Sequence, residues 1–423
     1  MRKQMLMLSS LLIVVALLVG ITSCKKSSST TTAFGLSSLK AGAIDLNAAI
    51  PPTNVPTNPT ITAVFSLAIN ATTVTSSTIS LVQGYDTTNM VITVTVTGAT
   101  ITIVPSTVLA GGAVYSLKFK AGITSTDGQA VGAFTRSFTT IGTFVPTGVI
   151  AYWNFEGNAN DQVGTFSPLS SANVIDMAWA PSRSGAAGQA AVFNGTTSLI
   201  EIPNGDVLAT SPDFSLTFWI KEDSTGKHDQ FTMGVSAWYG FQFEINNNGN
   251  GGLGECKLAA QYSLSNGTST SQDLWFNGAD TNSTLYNGGW KGWTYCRDLT
   301  SHSGTGVNGL LAGKWANVAC TYDHSTKIGT IYINGVIMKT QDFNLYGDPL
   351  DLATGLKFAG NATNNSFVFG FIQDKVNPTV TDSWAQYSDP ANNHLKGMLD
   401  DVRIFHKTLT ATEVTLMYNS EKP

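Results

Sequence analysis

Charged residues are scarce in this chain. Asp, Glu, Lys and Arg together make up 12% of its 423 residues, about half the usual share. The formal net charge is -5, so the chain lacks the basic footprint that binding to nucleic acid requires. Apolar residues still amount to 42%, which is enough for sizeable cores and does not indicate disorder. Low charge with many β-branched and aromatic residues is typical of exported all-β proteins.

The residues of common catalytic and zinc sites are also few. The chain has five His, and none of them stands at zinc-ligand pair spacing or in a His-Glu-x-x-His motif. It contains no Gly-x-Ser-x-Gly elbow for a serine nucleophile. The sequence therefore gives no support for a zinc enzyme or a serine hydrolase.

The N-terminus has the pattern of an export signal. Arg2 and Lys3 precede an apolar core, residues 11–19, which is the length of a signal-peptide core and too short to span a membrane comfortably. The following Ile21-Thr22-Ser23-Cys24 resembles the lipobox of bacterial lipoproteins. That resemblance implies diacylation of Cys24, which would anchor the chain stably in the bacterial outer membrane, facing outward. The alternative is an ordinary signal peptide, residues 1–24, that happens to contain a Cys.

The region after the signal predicts a spacer. Residues 25–43 are rich in Ser and Thr and are predicted to form a flexible tether. Residues 44–142 show short β-branched runs broken by turn residues, which is typical of an immunoglobulin-like sandwich. The stretch resembles bacterial Ig-like domains at Pro51-Pro52, Ile61 to Phe65, Tyr115 to Leu117, Asp127-Gly128 and Phe138 to Thr140. The resemblance implies a spacer role.

A linker at 143–148 leads into a larger second domain, residues 149–420. All nine Trp lie in it, and about a dozen strand patterns with almost no helix predict a large two-sheet sandwich or jelly roll. Asn334-Gly335 between two alternating runs is a strong hairpin signal. The closing segment Gly397 to Phe405 is predicted to pair with the segment Ile150 to Asp161. Because strand side chains alternate, Asp400 and Asp401 are expected to face opposite ways.

This second domain resembles the LamG-like jelly roll of the concanavalin A-like lectin/glucanase superfamily. The resemblance is carried by Tyr152 to Asn158, Ala191 to Gly195, Phe214 to Lys221, Tyr332 to Gly335 and Gly397 to Phe405. The chain departs from the family at about 263–312, where an aromatic-rich insertion replaces a short connection. Glucanases of the superfamily carry Glu-x-Asp-x-x-Glu on one strand. That run is missing, and Glu244 and Glu255 are isolated, so we do not expect an enzyme.

A calcium site is predicted at the start of this domain. Glu156, Asn158 and Asp161 place oxygen ligands along a Gly-containing loop, and calcium takes six to eight such oxygens. Asp400 or Asp401 would complete the shell if the closing strand lies beside the loop. The spacing permits a structural Ca²⁺, and the family resemblance implies it. The alternative is a polar turn with solvated acids.

Aromatic side chains are dense before and within the insertion. They are Trp238, Tyr239, Trp275, Tyr286, Trp290, Trp293 and Tyr295. A flat ring can stack on the C–H face of a sugar, so these residues are the candidate ligand-binding set. The alternative is a local minicore, because aromatic rings bury efficiently under long loops.

Three cysteines remain in the second domain. Outside the cytoplasm thiols tend to pair, and a bridge between Cys256 and Cys296 is favoured among the three possible pairings with Cys320. The alternative is that all three are thiols.

Together these patterns predict an all-β, lipid-anchored surface protein that binds a glycan or polysaccharide through its jelly roll. The alternatives are a module for adhesion to a partner protein and, third, a cryptic glycoside hydrolase. We expect no contact with nucleic acid, and contact with the membrane through the N-terminal lipid only.

Overall fold

The computed structural model describes residues 32–423 except 86, 280–285, 288–289, 292, 300–304, 348 and 390–392. For residues 286, 287, 290, 291 and 293 it describes the backbone but not the side chain. The described chain consists of two β-sandwiches, which confirms the predicted all-β class. In the described residues, no helix is both long and apolar enough to cross a bilayer.

The first sandwich contains nine strands in two sheets. They are β1 (Leu36–Ala41), β2 (Ile44–Asp45), β3 (Ile61–Phe65), β4 (Ile79–Gln83), β5 (Asn89–Met90), β6 (Ile92–Thr97), β7 (Thr100–Pro105), β8 (Val114–Phe119) and β9 (Phe134–Thr139). One sheet has the order β2-β1-β3-β7-β6 and the other β5-β4-β8-β9.

Strand β1 corrects the predicted tether at 25–43. Residues Leu36–Ala41 pair with β3 along their whole length. Leu39 and Ala41 are buried in the core of the sandwich. The Ser and Thr content suggested a linker, but the alternating apolar residues of this stretch supply one face of a strand. The sandwich therefore begins before residue 44.

The second sandwich contains the remaining strands. They are β10 (Val149–Trp153), β11 (Val174–Ile175), β12 (Ala178–Pro181), β13 (Gln189–Asn194), β14 (Leu199–Ile202), β15 (Phe214–Glu222), β16 (Asp229–Val235), β17 (Phe241–Asn246), β18 (Glu255–Leu264), β19 (Ser269–Phe276), β20 (Tyr286–Asn287), β21 (Trp290–Lys291), β22 (Trp293–Cys296), β23 (Ala316–Asp323), β24 (Ile328–Ile333), β25 (Val336–Asp342), β26 (Ala353–Leu356), β27 (Phe367–Phe369) and β28 (Lys396–Phe405). Helices are short, α1 (Gly205–Leu208), α2 (Gly249–Gly252) and α3 (Asn308–Leu311), except for the C-terminal α4 (Ala411–Glu421).

Two large antiparallel sheets form this second sandwich. Sheet I has the order β12-β13-β28-β15-β23-β24-β25-β22, with β10 beside β28. Sheet II has the order β11-β14-β27-β16-β17-β18-β19, with β26 beside β18. Aromatic rings fill the core between them: the ring centroids of Phe218 and Phe243 lie 5.0 Å apart, as do those of Trp153 and Phe369. Such pairs stabilise beyond the area they bury.

Two predicted pairings are confirmed. The closing strand β28 pairs antiparallel with β10, with Trp153 opposite Val402. The turn between β24 and β25 contains Asn334 and Gly335 with φ angles of 53° and 73°, the left-handed conformation that the Asn-Gly hairpin requires. Part of the insertion predicted at 263–312 belongs to sheet II, because β18 and β19 form a regular hairpin there.

Helix α4 joins the two sandwiches. Thr410 and Glu413 form a capping box at its start, which satisfies two backbone N–H groups. Val414 and Met417 are buried in one apolar cluster with Phe405 of β28 and with the core of the Ig-like sandwich. At the far end, the Oγ atom of Ser420 accepts a 2.9 Å hydrogen bond from the backbone N–H of Phe144.

Candidate functional site

The candidate site is a cleft on the outer face of sheet II. Alternation along β17 sends Phe241, Phe243 and Ile245 into the core. Gln242 and Glu244 therefore point to the opposite face, since successive side chains of a strand alternate. A cleft of about 680 Å³ lies over this face. Its lining includes Asp229, Phe231, Trp238, Gln242, Glu244, Lys257, Asp273, Trp384, Asp389 and Asn393.

A lysine between two carboxylates forms part of the cleft floor. Lys257 stands opposite Glu244 in the register of β17 and β18. Its Nζ lies 2.8 Å from Oε1 of Glu244 and 3.0 Å from Oδ2 of Asp273. Burial disfavours the charge on Lys257, but the two carboxylates outweigh burial and raise its pKa above its ordinary value. Burial in turn raises the pKa of Glu244, although Lys257 acts against that shift.

A buried amide lies beside this ion pair. Gln242 is 3% exposed, and its Nε2 donates a 2.6 Å hydrogen bond to Oε2 of Glu244. Its Oε1 atom is buried and accepts no hydrogen bond from the described residues. An unsatisfied buried acceptor costs about 1–3 kcal/mol. A bound ligand with a hydrogen-bond donor would remove that cost.

Two stacked indole rings, those of Trp238 and Trp384, line one wall of the cleft. The Trp238 ring lies 5.3 Å from that of Trp384, at an interplanar angle of 22°. The ring of Tyr239 also stacks on Trp238, 5.6 Å away at 21°. Trp384 is the outermost member and is 40% exposed. The stack therefore presents one indole to solvent, supported from behind by two further rings.

Hydrogen bonds hold the turn that carries Trp384. The side chain of Gln373 donates to the carbonyl of Ala385 at 2.9 Å and accepts from the N–H of Val380 at 2.9 Å. Asn393 donates to the carbonyl oxygen of Trp384 itself at 2.8 Å. The Trp384 ring also makes an edge-to-face contact with Phe231, with the ring centroids 5.8 Å apart. These contacts fix the position of the exposed ring, as a binding platform requires.

The structure places the predicted aromatic residues in different surroundings. Trp238 lies in the cleft and Tyr239 stacks behind it. Trp275 lines a smaller neighbouring hollow of about 240 Å³ and donates a 3.0 Å hydrogen bond to Glu255. Tyr295 lies on β22 of sheet I, away from the cleft lining. The side chains of Tyr286, Trp290 and Trp293 lie outside the described residues.

Sequence reasoning missed Trp384 and the polar floor. Trp384 stands far along the chain from the other Trp and outside the aromatic-rich insertion that marked the candidate set. Gln242, Lys257 and Asp273 lie on three different strands, and only the register brings them together. The available signal was the alternation of β17, whose polar positions identify an outward face.

The residues predicted to bind calcium do not converge on one point. Oδ1 of Asp161 accepts hydrogen bonds from the backbone N–H groups of Tyr152 and Val163, and Oδ2 from those of Gly164, Thr165 and Phe166. Glu156 accepts from the N–H of Gln189 at 3.0 Å, and Asn158 accepts from that of Asn160 at 2.9 Å. These side chains thus order the loop and its flanks.

Asp400 and Asp401 belong to a buried charge cluster, which also contains Arg183, Arg403 and Glu421. Arg183 donates to Oδ2 of Asp400 at 2.5 Å and also to Asp401. Arg403 lies 3.2 Å from Asp401 and 2.9 Å from Glu421. Burial opposes the ionisation of Asp401, but Arg403 and Arg183 outweigh it and hold its pKa below the ordinary value.

This arrangement corrects the predicted ligand set, because arginines rather than a cation compensate Asp400 and Asp401. In the described residues, the group whose geometry suits a metal is a different one, Asp213, Asp323 and His324. It is partly exposed and already linked by a 2.9 Å hydrogen bond between His324 Nδ1 and Asp213. Calcium binding by the chain stays a prediction.

The predicted disulfide is wrong. Cys256, Cys296 and Cys320 are all buried, and none of them is in a disulfide. Cys256 lies on β18 of sheet II and Cys296 on β22 of sheet I. The two side chains belong to the hydrophobic core between the sheets, where a thiol packs as a small apolar group. Burial raises the pKa of Cys256 above its ordinary value.

The fold defines an all-β protein with an Ig-like sandwich followed by a jelly roll. Comparison with family models confirms both resemblances. Residues 44–140 match the bacterial Ig-like domain family. Residues 194–376 match the concanavalin A-like lectin/glucanases superfamily. A comparison with curated proteins finds no match.

Solved structures with similar folds share little sequence with the chain. Domain 4 of AbnA, a GH43 extracellular arabinanase from Geobacillus stearothermophilus, in complex with arabinotriose, is 20% identical, with a TM-score of 0.38 over 64% of this chain and 98% of that one. The binding domain of botulinum neurotoxin serotype D/C is 15% identical, with a TM-score of 0.39 over 64% and 52%. The match thus spans about half the length of the toxin domain. At these TM-scores neither likeness carries information on function.

Proposed function

We propose that this protein binds carbohydrate through the cleft on sheet II. The observation that carries the proposal is the supported, 40% exposed ring of Trp384 stacked on Trp238, beside the buried carboxamide of Gln242. An indole face packs on the apolar face of a sugar ring, while neighbouring amides and acids bind its hydroxyls. Shallow sites of this kind combine an apolar surface with a few fixed polar groups. The superfamily match of the domain agrees with a lectin-like role.

The other parts of the chain have supporting roles in this proposal. The Ig-like sandwich acts as a spacer, and α4 fixes the jelly roll to it. Cys24, which lies outside the described residues, would carry the lipid anchor at the outer membrane. Replacing Cys24 with Ser should move the protein from the membrane fraction to the soluble fraction, since the lipid supplies the anchoring energy.

Binding without hydrolysis is part of the proposal. Retaining glycosidases need one carboxyl to donate a proton and a second to attack. Two carboxylates of the cleft, those of Glu244 and Asp273, share one neighbour, and Lys257 contacts both within 3.0 Å. Its ammonium occupies the space between them. Incubation with a bound polysaccharide should release no reducing ends, and release of them would support the hydrolase alternative.

The test is glycan binding by variants of the full chain. Trp384→Ala should weaken binding to any glycan found on an array by at least about tenfold, or about 1.4 kcal/mol. Leu169→Ala is a matched control, since Leu169 is 77% exposed and lies outside the cleft lining. If Trp384→Ala binds glycan as the natural chain does and Trp290→Ala loses glycan binding, the site would lie in the aromatic-rich insertion instead. Failure to bind any glycan, with capture of a partner protein, would support the adhesion alternative.

A further inference from the structure

The cleft presents mainly acceptors and negative charge. Four carboxylates line it, those of Asp229, Glu244, Asp273 and Asp389. They face a single ammonium, that of Lys257, which two of the four already bind. The side chain of His228 lies 2.8 Å from Asp229. No lining residue among those described therefore offers a cation that is not already in contact with an acid.

A second feature is independent of the acids. Gln242 is 3% exposed and its Oε1 accepts no hydrogen bond from the described residues. Its amide nitrogen is committed to Glu244 at 2.6 Å. The floor of the cleft thus contains one buried acceptor that no described residue satisfies, and a ligand with an N–H or O–H group would satisfy it.

We propose that the cleft takes a glycan with free amino groups, a polysaccharide rich in non-acetylated hexosamine, and rejects glycans that carry carboxylate or sulfate. This inference rests on the proposed carbohydrate binding. An ammonium group brings three donors and one positive charge, which complement Gln242 and the excess of acids over cations in the cleft. A uronate or sulfate would meet like charges and no available cation, and such juxtapositions cost affinity.

The indole stack selects a sugar rather than a cationic peptide. Charge alone would attract a lysine-rich chain equally well. The exposed ring of Trp384 lies 5.3 Å from a parallel second indole, so its outer face is flat and fixed. A pyranose ring covers such a face, whereas a flexible lysine side chain places one ammonium near it and gains less contact.

The test compares matched oligomers by calorimetry on the full chain: hexamers of glucosamine, N-acetylglucosamine, glucose and galacturonate, together with hexalysine. Glucosamine hexamer should bind at least about tenfold more tightly than its acetylated counterpart. That advantage should shrink at about 0.5 M salt, where charge is screened. The double variant Asp229→Asn, Asp389→Asn should reduce the affinity advantage of the glucosamine hexamer without disturbing Lys257. Asp127 is an exposed acid of the Ig-like sandwich, so the control variant Asp127→Asn should leave that advantage unchanged.

The outcomes separate this inference from the proposed function. Equal binding of glucose and glucosamine hexamers, lost in Trp384→Ala, would overturn the inference and leave carbohydrate binding intact. Tighter binding of galacturonate would do the same. No binding of any sugar would overturn the proposed function and the inference with it. Hexalysine binding that survives Trp384→Ala at the affinity of the glucosamine hexamer would assign the cleft to cationic peptides.

Discussion

Asp400 and Asp401 are adjacent in sequence, yet both carboxylates bind the same guanidinium, that of Arg183. Strict alternation along a strand would send them to opposite faces, as the sequence analysis predicted. That prediction is wrong, because β28 contains a bulge here. The register with β15 shifts between Thr217 and Trp219, and Asp401 has a φ angle of 46°. A bulge re-aims a side chain in this way.

Glu421 should be needed for stability, although it lies near the end of the described chain. Its carboxylate is 2.9 Å from Arg403 and accepts a 2.8 Å hydrogen bond from Trp219 Nε1. Glu421→Ala leaves the buried Arg403 without this partner, which should cost about 3–5 kcal/mol of unfolding free energy. The measurement is urea unfolding of the full chain.

The control for Glu421→Ala is an exposed ion pair. Asp223 lies 3.0 Å from Lys396, and its side chain is 46% exposed. Asp223→Asn should cost at most about 1 kcal/mol, because solvent screens such a pair. Equal losses in the two variants would contradict a structural role for the charge cluster.

Stability should fall as the pH rises from mildly acidic to mildly basic. Burial and the neighbouring Asp401 carboxylate raise the pKa of Asp400 to about 8, from its ordinary 3.8. The folded chain therefore holds a proton that the unfolded chain releases in this range. The resulting stabilisation is complete below the unfolded pKa and is lost as the pH rises through the folded pKa. Burial also raises the pKa of Glu421, which acts in the same direction.

Asp400→Asn isolates this effect, because its amide does not titrate while Arg183, Arg403, Asp401, Tyr152 and Glu421 remain. Unfolding free energies at about pH 5 and about pH 8 should differ less in this variant than in the natural chain. Two results together would contradict a raised pKa of Asp400. The natural chain would be more stable at the higher pH, and Asp400→Asn would show the same pH dependence as the natural chain.

The three core cysteines should be recovered as thiols. Their burial keeps reagents out and raises the pKa of Cys256, so alkylation of the folded chain should be slow. In denaturant without reductant, peptide mapping should find Cys256, Cys296 and Cys320 alkylated. A disulfide-linked peptide joining Cys256 to Cys296 would restore the bridge predicted from the sequence.

Asp400 and Asp401 should contribute nothing to any effect of chelation on the thermal unfolding of the jelly roll. A calcium site saturated a hundredfold above its Kd would add about 2.7 kcal/mol. Since Arg183 and Arg403 already compensate Asp400 and Asp401, we expect no such contribution from those acids. Scanning calorimetry with calcium and with excess chelator checks this. A lower Tm on chelation, abolished by Asp161→Asn, would instead support the predicted calcium loop.

Much of the architecture was predictable because it is encoded locally. Apolar alternation identified most strands, and Asn334-Gly335 identified a hairpin whose turn geometry excludes most other residues. The pairing of β10 with β28 was also predicted, since the edges of a closed sandwich need partners. Strand β1 was missed because the Ser and Thr content of residues 25–43 predicted a flexible tether, although the apolar residues of β1 alternate as in a strand.

The candidate site was predicted only in part. Trp238 and Tyr239 were identified because they lie close to other aromatic residues in the sequence. Trp384 joins them from the opposite end of the domain, about 5 Å from Trp238. Residues brought together by long-range strand register leave no local signal.

The sequence by itself determined the two-sandwich, all-β fold, because hydrophobic alternation and turn residues act over a few positions. Only the tertiary structure decided what the polar residues do. Gln242, Lys257 and Asp273 form one floor because three strands align them, and a single bulge turns Asp400 and Asp401 towards Arg183. Burial and neighbouring charges, which depend on contacts distant in sequence, set the chemistry of those groups.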